Sequence, residues 1–434
     1  MSTIATKVAA VRRDPLLMNS ALMFATTLLM AGGGAVFWVI AARLADPGDV
    51  GLAGSLVAAG DSLALFAQLG LNIAILRTMP TSSRKAADVL TASLAVVTAG
   101  VGFALVYAVL LPWTSPRLAD VLHSPATVVV FCVLVAATGL NVLSDAIFLA
   151  INRVWSYLRL NGILMGVVKC ALPFALAGAG VLDALGLYAC VGGAILVCAV
   201  ASVVVILRHV PGRRSLSPSP ELRASRGFAA AGYVTYVLTV LPLLVFPLIV
   251  INALGPAQGG AYFISFQVVT LLHAVVLAVA SSAYAEAERA EHHRHRVVRK
   301  GGLTLLVCSV AGCLAMMVAA PYFLAIFGPH YVDSGTATLR VLALATVGAA
   351  FNYWSAMRLR LASHLSAMIL VQLVSTVVML VLAVVLAPYG TVWVAAAWGI
   401  GHVVGGLLGF VVTSTFLRFP DDAPAVVERE LVAP

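Results

Sequence analysis

The amino-acid sequence predicts an all-α membrane protein with twelve transmembrane helices, arranged as two six-helix pseudo-symmetric lobes around a central cavity. Of its 434 residues, 62% are hydrophobic and 10% are charged, whereas soluble domains are about 45–50% apolar and about 25% charged. The apolar residues form long blocks with few charges, and a block of about 18 or more such residues is a candidate transmembrane helix. A repeat that relates the two halves of the chain predicts the lobes.

Twelve apolar blocks, separated by polar breaks, define the predicted spans. Their boundaries carry an error of about 2–4 residues, because the ends of a segment are its least certain part. Residues 1–14 precede the first block and contain no apolar core, so we expect no cleaved signal peptide. The spans lie at about 17–42, 49–77, 88–112, 126–151, 158–180, 184–207, 228–254, 258–284, 301–327, 336–362, 365–388 and 390–417.

The positions of the 26 Lys and Arg residues predict the orientation in the membrane. With the N-terminus in the cytoplasm, 22 of them fall in inner segments, Lys169 lies in the middle of span five, and only Arg43, Arg117 and Arg340 fall at outer ends. Because cytoplasmic loops carry the excess of Lys and Arg, both termini are predicted to be cytoplasmic. The net charge of +9 therefore reflects topology, and we expect no nucleic-acid partner.

A spacing of 209 residues relates the two halves of the chain. The turn ARLADPGDVGLAG between spans one and two corresponds to INALGPAQGGAYF between spans seven and eight. Six spans is an even number, so both halves insert in the same orientation, and such parallel repeats place a substrate site between them near the midplane. Chance stays open as the alternative, because Gly and Pro are common at turns. The predicted lobes are 1–210 and 211–434, and the matched pairs are Phe37 and Phe246, Pro47 and Pro256, Gly51 and Gly260, and Pro112 and Pro321.

The sequence of the first of these turns resembles a pattern found in a known family. ARLADPGDVGLAG followed by LGLNIAILRTMP resembles the polysaccharide flippase (polysaccharide transporter, Wzx-like) branch of the multidrug/oligosaccharidyl-lipid/polysaccharide exporter superfamily. Members often carry Phe-Gly-Pro-x-Tyr after span nine, and this chain has Phe327-Gly328-Pro329-His330-Tyr331. The resemblance implies a protein of the bacterial cytoplasmic (inner) membrane that flips a polyprenyl-pyrophosphate-linked oligosaccharide by alternating access. Its expected partners are the lipid-linked glycan, membrane lipids, a coupling cation (H⁺ or Na⁺) and glycan-assembly proteins.

Polar side chains inside spans two and four are candidate site residues. Span two carries Asp61, Gln68 and Asn72 at spacings of seven and four, which place them on one face of a continuous helix. Span four carries Asn141 and Asp145. A charge at the bilayer centre costs about 2.5–3.5 kcal/mol on insertion scales, so retained charges are candidate functional groups. We predict the two carboxylates as ion-coupling residues and the amides as substrate-binding residues; interhelical hydrogen bonding that only joins the helices is the alternative.

Lys169 in span five is the predicted contact for an anionic substrate. It precedes Pro173 by four residues, and a proline removes the helical partner of the carbonyl at that distance. A cation beside a loosened backbone suits a water-filled site. A structural ion pair with Asp61 or Asp145 is the alternative, and both interpretations can hold together.

The C-terminal half contributes Asn352 and Arg358 in span ten as further substrate-binding candidates. Arg358 and Arg360 are two residues apart and point in nearly opposite directions, so one could face the cavity while the other reaches the lipid headgroups. Two features predict moving helices: Gly32-Gly33-Gly34 in span one, and Pro242 with Pro247 in span seven. Close packing of the small residues is the alternative for the glycines.

Three functional classes compete. A lipid-linked glycan flippase needs buried cations for its pyrophosphate, and Lys169 and Arg358 supply them. A cation-coupled drug or metabolite exporter of the same superfamily would favour the acidic Asp61 and Asp145. A membrane enzyme such as a glycan polymerase normally needs a sizeable outer loop, and the longest predicted here, about 113–125, is short. We therefore expect a transporter and no enzyme. The sequence shows neither a Walker A motif nor a C-x-x-C metal site, so we expect no cofactor.

Overall fold

The computed structural model describes residues 15–289, 293–362 and 364–415, and within them twelve helices are long and apolar enough to cross a membrane. The predicted fold class is therefore confirmed, while both termini lie outside the described residues. We number the spanning helices in chain order: α1 Pro15–Leu44, α2 Pro47–Ala67, α3 Lys85–Thr114, α4 Pro125–Ala150, α5 Val154–Gly178, α6 Ala184–His209, α7 Arg226–Leu254, α8 Pro256–Arg289, α9 Arg294–Ala325, α10 Pro329–Leu361, α11 Leu365–Leu386 and α12 Thr391–Thr415.

Local sequence explains where several of these helices begin. Proline is the first residue of α2, α4, α8 and α10. This position suits proline, because the first N–H groups of a helix have no intrahelical partner and the ring presets the backbone angle. At α4, the Ser124 hydroxyl accepts a hydrogen bond from the Thr127 N–H, and the Thr127 hydroxyl accepts one from the backbone N–H of Ser124. Short polar turns therefore separate the apolar blocks.

Span two is not the continuous helix that the sequence predicts. The helix α2 ends at Ala67, and a short helix Leu71–Thr78 follows after a break. Leu69 and Gly70 adopt positive φ angles of 48° and 77° at the break, which end the regular hydrogen bonding. The prediction that Asn72 shares one helical face with the polar residues of α2 is therefore wrong.

The helix α5 contains a π-helical segment at Leu158–Leu164 that the apolar pattern did not predict. A π-helical turn carries an extra residue and is often found at functional sites. Here the segment turns the buried Asn161 toward α4, where its side-chain amide donates a hydrogen bond to the Asp145 carboxylate. The π-helical segment thus gives one predicted coupling residue its partner.

The glycines of span one do not interrupt the helix, and Gly33 packs closely against α5. The helix α1 continues through all three glycines. A β-carbon at Gly33 would lie 3.1 Å from the Cα of Gly166 on α5, so the two backbones are almost in contact. The Cys170 thiol adds a contact of 3.6 Å to the carbonyl oxygen of Gly33. At this position the close-packing alternative describes the structure.

The two repeated turns pack against each other. A β-carbon at Gly51 would overlap the carbonyl oxygen of Pro256, and one at Gly260 would overlap the carbonyl oxygen of Pro47. The glycine of each turn therefore packs directly against the backbone of the proline in the other turn. This reciprocal contact is the pattern that a two-fold axis between like surfaces produces. It agrees with two pseudo-symmetric lobes, and the proposed boundary at residues 210 and 211 stays a prediction.

Asp88, at the start of α3, holds the segment that connects the two halves. Its side chain is completely buried and accepts hydrogen bonds from the Ser82 hydroxyl at 2.6 Å and from the Ser219 N–H and hydroxyl at 2.7 and 2.8 Å. The neighbouring Glu221 has a lowered carboxyl pKa, first because its own backbone N–H donates to it and then because the hydroxyls of Ser219 and Ser83 do. The connecting segment is thus fixed to the N-terminal half by hydrogen bonds to acids.

We expect Asp88→Ala to destabilise the protein by about 2–4 kcal/mol, because the buried Ser219 N–H would lose its acceptor. The measurement is the midpoint of thermal unfolding of the purified protein in detergent. Asp88→Asn keeps one acceptor oxygen and should cost less. Asp183→Ala, which removes a carboxylate that caps α6 through the Gly186 N–H, is the matched control, with an expected cost of about 1 kcal/mol. An equal loss in Asp88→Ala and Asp183→Ala would contradict the proposed role.

Candidate functional site

A cavity of about 460 Å³ lies between the two halves of the chain. Helices α1, α2, α5 and α6 form its wall on one side, and α8 with the end of α9 forms the other. This volume is within the usual range of about 300–1,000 Å³ for small-molecule sites. Its lining is mostly apolar and consists of Met30, Ala31, Gly34, Ala35, Trp38, Val39, Val57, Asp61, Lys169, Val191, Ile195, Gln267, Val268, Thr270, Leu271, Phe323, Ile326 and Phe327.

The cavity brings together Asp61 and Lys169, two of the predicted site residues. Asp61 projects from α2 and Lys169 from α5, and the two opposite charges attract each other. Among the described residues, no hydrogen bond or close ion pair joins them. Lys169 lies one turn before Pro173, as the sequence predicted. The pair therefore forms the charged part of a mostly apolar cavity, with each group able to receive another partner.

Aromatic side chains form part of the cavity wall. Trp38 is only 5% exposed and packs edge-to-face on Phe37 and Phe263, with ring centroids 4.9 and 4.5 Å apart. Phe327, from the Phe-Gly-Pro-x-Tyr segment, is also buried and lines the cavity.

The C-terminal half contributes polar groups that sequence reasoning missed. Gln267 and Thr270 on α8 line the cavity, and the Thr270 hydroxyl donates to the carbonyl oxygen of Gln267. The predicted span eight, 258–284, contains no Asp, Glu, Lys or Arg that would mark it as a site, so neither residue stood out. Their spacing of three residues, which places them on one face of a helix, was the available signal.

Asp145, the second predicted coupling residue, does not line the central cavity. The Asp145 carboxylate accepts a hydrogen bond from Asn161. It is also within electrostatic range of Tyr236 on α7, and Tyr236 is within the same range of Asp61. The Cys198 thiol is within electrostatic range of both Lys169 and Asp145. Tyr236 is therefore the neighbour that Asp61 and Asp145 share.

Two of the predicted amides, Gln68 and Asn141, pack between α2 and α4. Gln68 is fully buried, and its amide nitrogen donates to the carbonyl oxygen of Gly139 at 2.8 Å. Asn141 is 5% exposed. Neither residue lines the cavity, and Asn72 lies beyond the break in span two. Interhelical hydrogen bonding describes Gln68 in this structure, and a substrate contact by these amides stays a prediction.

Asn352 and Arg358 belong to a different part of the C-terminal half. The Asn352 amide is 3.2 Å from a ring nitrogen of His402, in a buried group that includes His273 and Tyr353. The Arg358 guanidinium lies over the rings of Trp354 and Phe410, 5.0 Å from each ring centroid. Neither residue lines the central cavity.

Contacts between the halves close the predicted outer side. The Arg43 guanidinium, at the end of α1, donates to the carbonyl oxygens of Ala325 and Ile326 at the end of α9. Asn252, at the end of α7, donates its amide to the Thr114 carbonyl oxygen at 3.0 Å. The cation on the last carbonyls of α9 is also favourable for the helix dipole. These hydrogen bonds join the two halves at the end where the repeated turns meet.

The sequence and the fold both have known relatives. The family described as "Polysaccharide biosynthesis protein" matches residues 40–334. No curated protein sequence matches the chain.

Three solved structures show the fold. Lipid II flippase MurJ, in an inward closed conformation, has a TM-score of 0.75 at 10% identity, over 92% of this chain and 88% of that chain. An inward-facing multidrug resistance MATE family transporter of the MOP superfamily has a TM-score of 0.65 at 15% identity, over 91% and 96%. A MOP superfamily transporter from Pyrococcus furiosus Vc1 has a TM-score of 0.55 at 17% identity, over 92% and 95%. At these identities the likeness is one of fold.

Proposed function

We propose that this chain, which belongs to the polysaccharide biosynthesis protein family, flips a polyprenyl-pyrophosphate-linked oligosaccharide or a related cell-surface glycan precursor across the membrane. The observation that carries the proposal is Lys169, a cation on the wall of a cavity between two halves of a MOP-like transporter fold. Burying a charge in the membrane is costly, and an anionic substrate gives this charge a function. A transporter, rather than an enzyme, is the class that this fold supports.

The geometry suggests how the substrate headgroup would bind. A pyrophosphate offers at least two negative charges, and lysine binds phosphate well as a point charge. Attraction between opposite charges is stronger in a partly dehydrated cavity than in water. The headgroup would displace Asp61 as the partner of Lys169, while Gln267 and Thr270 offer hydrogen bonds to sugars. The lipid tail would remain in the bilayer, because the cavity is too small to enclose it.

Alternating access would then require the outer contacts to open. We propose that the structure faces the cytoplasm, because Arg43 and the repeated turns close the other side. Within this proposal the protein lies in a bacterial cytoplasmic membrane with both termini in the cytoplasm, as the Lys and Arg distribution predicts. A proton or Na⁺ would be the coupling cation, with Asp61 and Asp145 as its candidate sites, and glycan-assembly proteins are proposed partners.

A cation-coupled exporter of drugs or metabolites is the second candidate. The observation that favours it is the pair of membrane carboxylates, which share Tyr236 as a neighbour. Carboxylates would attract a cationic substrate, whereas Lys169 would oppose it. The two candidates therefore differ in the sign of the charge that they transport.

A transport assay distinguishes the two candidates. The purified protein is placed in lipid vesicles that carry a fluorescent polyprenyl-pyrophosphate oligosaccharide in one leaflet, and quenching reports its arrival in the other. We expect transport of this anionic lipid well above that of empty vesicles, and none of a cationic dye. Transport of the dye alone would overturn the flippase proposal in favour of the exporter.

A further inference from the structure

A second cavity, of about 700 Å³, lies on the C-terminal half between α9 and α10. It shares no lining residue with the central cavity. We call it the basic groove, and we propose that it binds an anionic phospholipid of the cytoplasmic leaflet. Its lining residues are Arg296, Arg299, Lys300, Gly302, Leu303, Leu305, Leu306, Ala350, Phe351 and Trp354.

One end of the basic groove carries three cations on a single helix. Arg299 and Lys300 follow Arg296 by three and four residues in the first turns of α9, so all three project from one face. All three are exposed. Lys and Arg favour the C-terminal end of a helix and are unfavourable in its first turns, because that end of the helix dipole is positive. Three cations at this position therefore attract an anion strongly.

The same face of α9 continues into the membrane as an apolar surface. Leu303 is 62% exposed and Leu306 is 51% exposed, one and two turns after the cations. Leu305 and Ala350, both nearly buried, also line the groove. An exposed apolar strip that starts at a cluster of cations matches the chemistry of a phospholipid, whose phosphate is joined to acyl chains. A soluble anion would not use the apolar part.

The opposite wall is held in a fixed position. The Trp354 indole N–H donates to the carbonyl oxygen of Val298 at 3.1 Å, which ties α10 to the start of α9. The ring also stacks with Phe410, at a centroid distance of 5.9 Å, and Arg358 lies over both rings. A β-carbon at Gly302 would collide with Trp354, so the ring fills the space that a side chain there would occupy. The groove is thus built before a lipid enters it.

The position in the membrane supports the phospholipid over other occupants. The cations lie on the predicted cytoplasmic side, where anionic lipids attract basic residues near the membrane surface. Basic pockets between transmembrane helices on this side are known to bind phospholipid headgroups. The proposal does not depend on the transported substrate, because binding in the groove requires no transport.

Lipid retention tests the proposal. The protein is placed in nanodiscs of mixed phosphatidylglycerol and phosphatidylcholine, extracted, and analysed for retained lipid by native mass spectrometry. We expect the wild type to retain phosphatidylglycerol. The amount retained by the triple variant Arg296→Gln, Arg299→Gln and Lys300→Gln should be lower by at least about tenfold. The matched control replaces Arg208, Arg213 and Arg214 with Gln, which removes the same charge from the same predicted side. An equal loss in the control would mean that diffuse charge attracts the lipid, and would overturn the groove.

A second pair of variants tests the apolar part. Leu306→Trp fills the groove at a half-exposed position and should also reduce retention of phosphatidylglycerol, whereas Leu314→Trp on the same helix, 61% exposed and outside the groove, should not. Competition by inorganic phosphate alone would identify a phosphate site without a lipid. If polyprenyl pyrophosphate displaced phosphatidylglycerol when present at a lower concentration than phosphatidylglycerol, the groove would be assigned to the transported lipid. Either result would overturn the proposal.

Discussion

Replacing Lys169 with alanine should abolish transport of a pyrophosphate-linked glycan while the protein still inserts and folds. Lys169 is the cation on the wall of the central cavity, and its loss removes the only positive charge among the lining residues. A hydrogen bond to a charged group contributes about 1.5–3 kcal/mol, so transport should fall at least about tenfold. Lys169→Arg should keep part of the activity, because the charge remains although the shape differs.

Complementation of a flippase-deficient bacterial strain measures this effect, with the amount of protein in the membrane determined for each variant. Lys85→Ala, which removes a lysine at the start of α3 outside the cavity, is the matched control and should support growth normally. Full activity of Lys169→Ala would remove Lys169 from the site and favour the exporter. Loss of activity together with loss of protein would be resolved by binding of the labelled glycan to purified protein, which the flippase proposal expects to weaken in Lys169→Ala.

Replacing Asp61 with asparagine should abolish gradient-driven transport and leave substrate binding intact. Asparagine has the shape of a protonated aspartate but cannot exchange a proton or attract a cation. If Asp61 holds Lys169 when no substrate is present, the variant should bind the anionic headgroup at least as well as the wild type, since the competing carboxylate is gone. Coupling of transport to the gradient would be lost, because the charge of the side chain at position 61 no longer changes.

Vesicles with an imposed proton or sodium gradient measure this coupling, and the labelled glycan measures binding. Asp120→Asn, at an exposed position outside the cavity, is the control and should respond to the gradient as the wild type does. Normal gradient-driven transport by Asp61→Asn would show that Asp61 is structural. If only the Asp145→Asn variant lost its response to the gradient, the coupling role would belong to Asp145, whose carboxylate accepts a hydrogen bond from Asn161.

Much of the candidate site could be predicted from charge alone. Asp61 and Lys169 stand out because charges are rare and costly in apolar spans, and the structure places both on one cavity wall. The amides were less predictable. The Gln68 amide nitrogen donates to the backbone of a neighbouring helix, and the packing that brings Gly139 close to it cannot be read from one span.

The sequence by itself determined that the chain crosses the membrane and how many spans it has, and it predicts where the two halves correspond. These features depend on composition and local patterns, since the bilayer selects apolar blocks one helix at a time. The repeated turns also follow from local sequence, because proline begins a helix and glycine allows two backbones to meet.

Only the tertiary structure decided which polar groups share a site. Leu69 and Gly70 break span two through their backbone angles, which removes Asn72 from the face of Asp61. The π-helical segment of α5 turns Asn161 toward Asp145, and α8 brings Gln267 opposite Lys169. These pairings join residues from separate helices. Their physical cause is side-chain packing and hydrogen bonding between helices, which in a membrane decide how preformed spans associate.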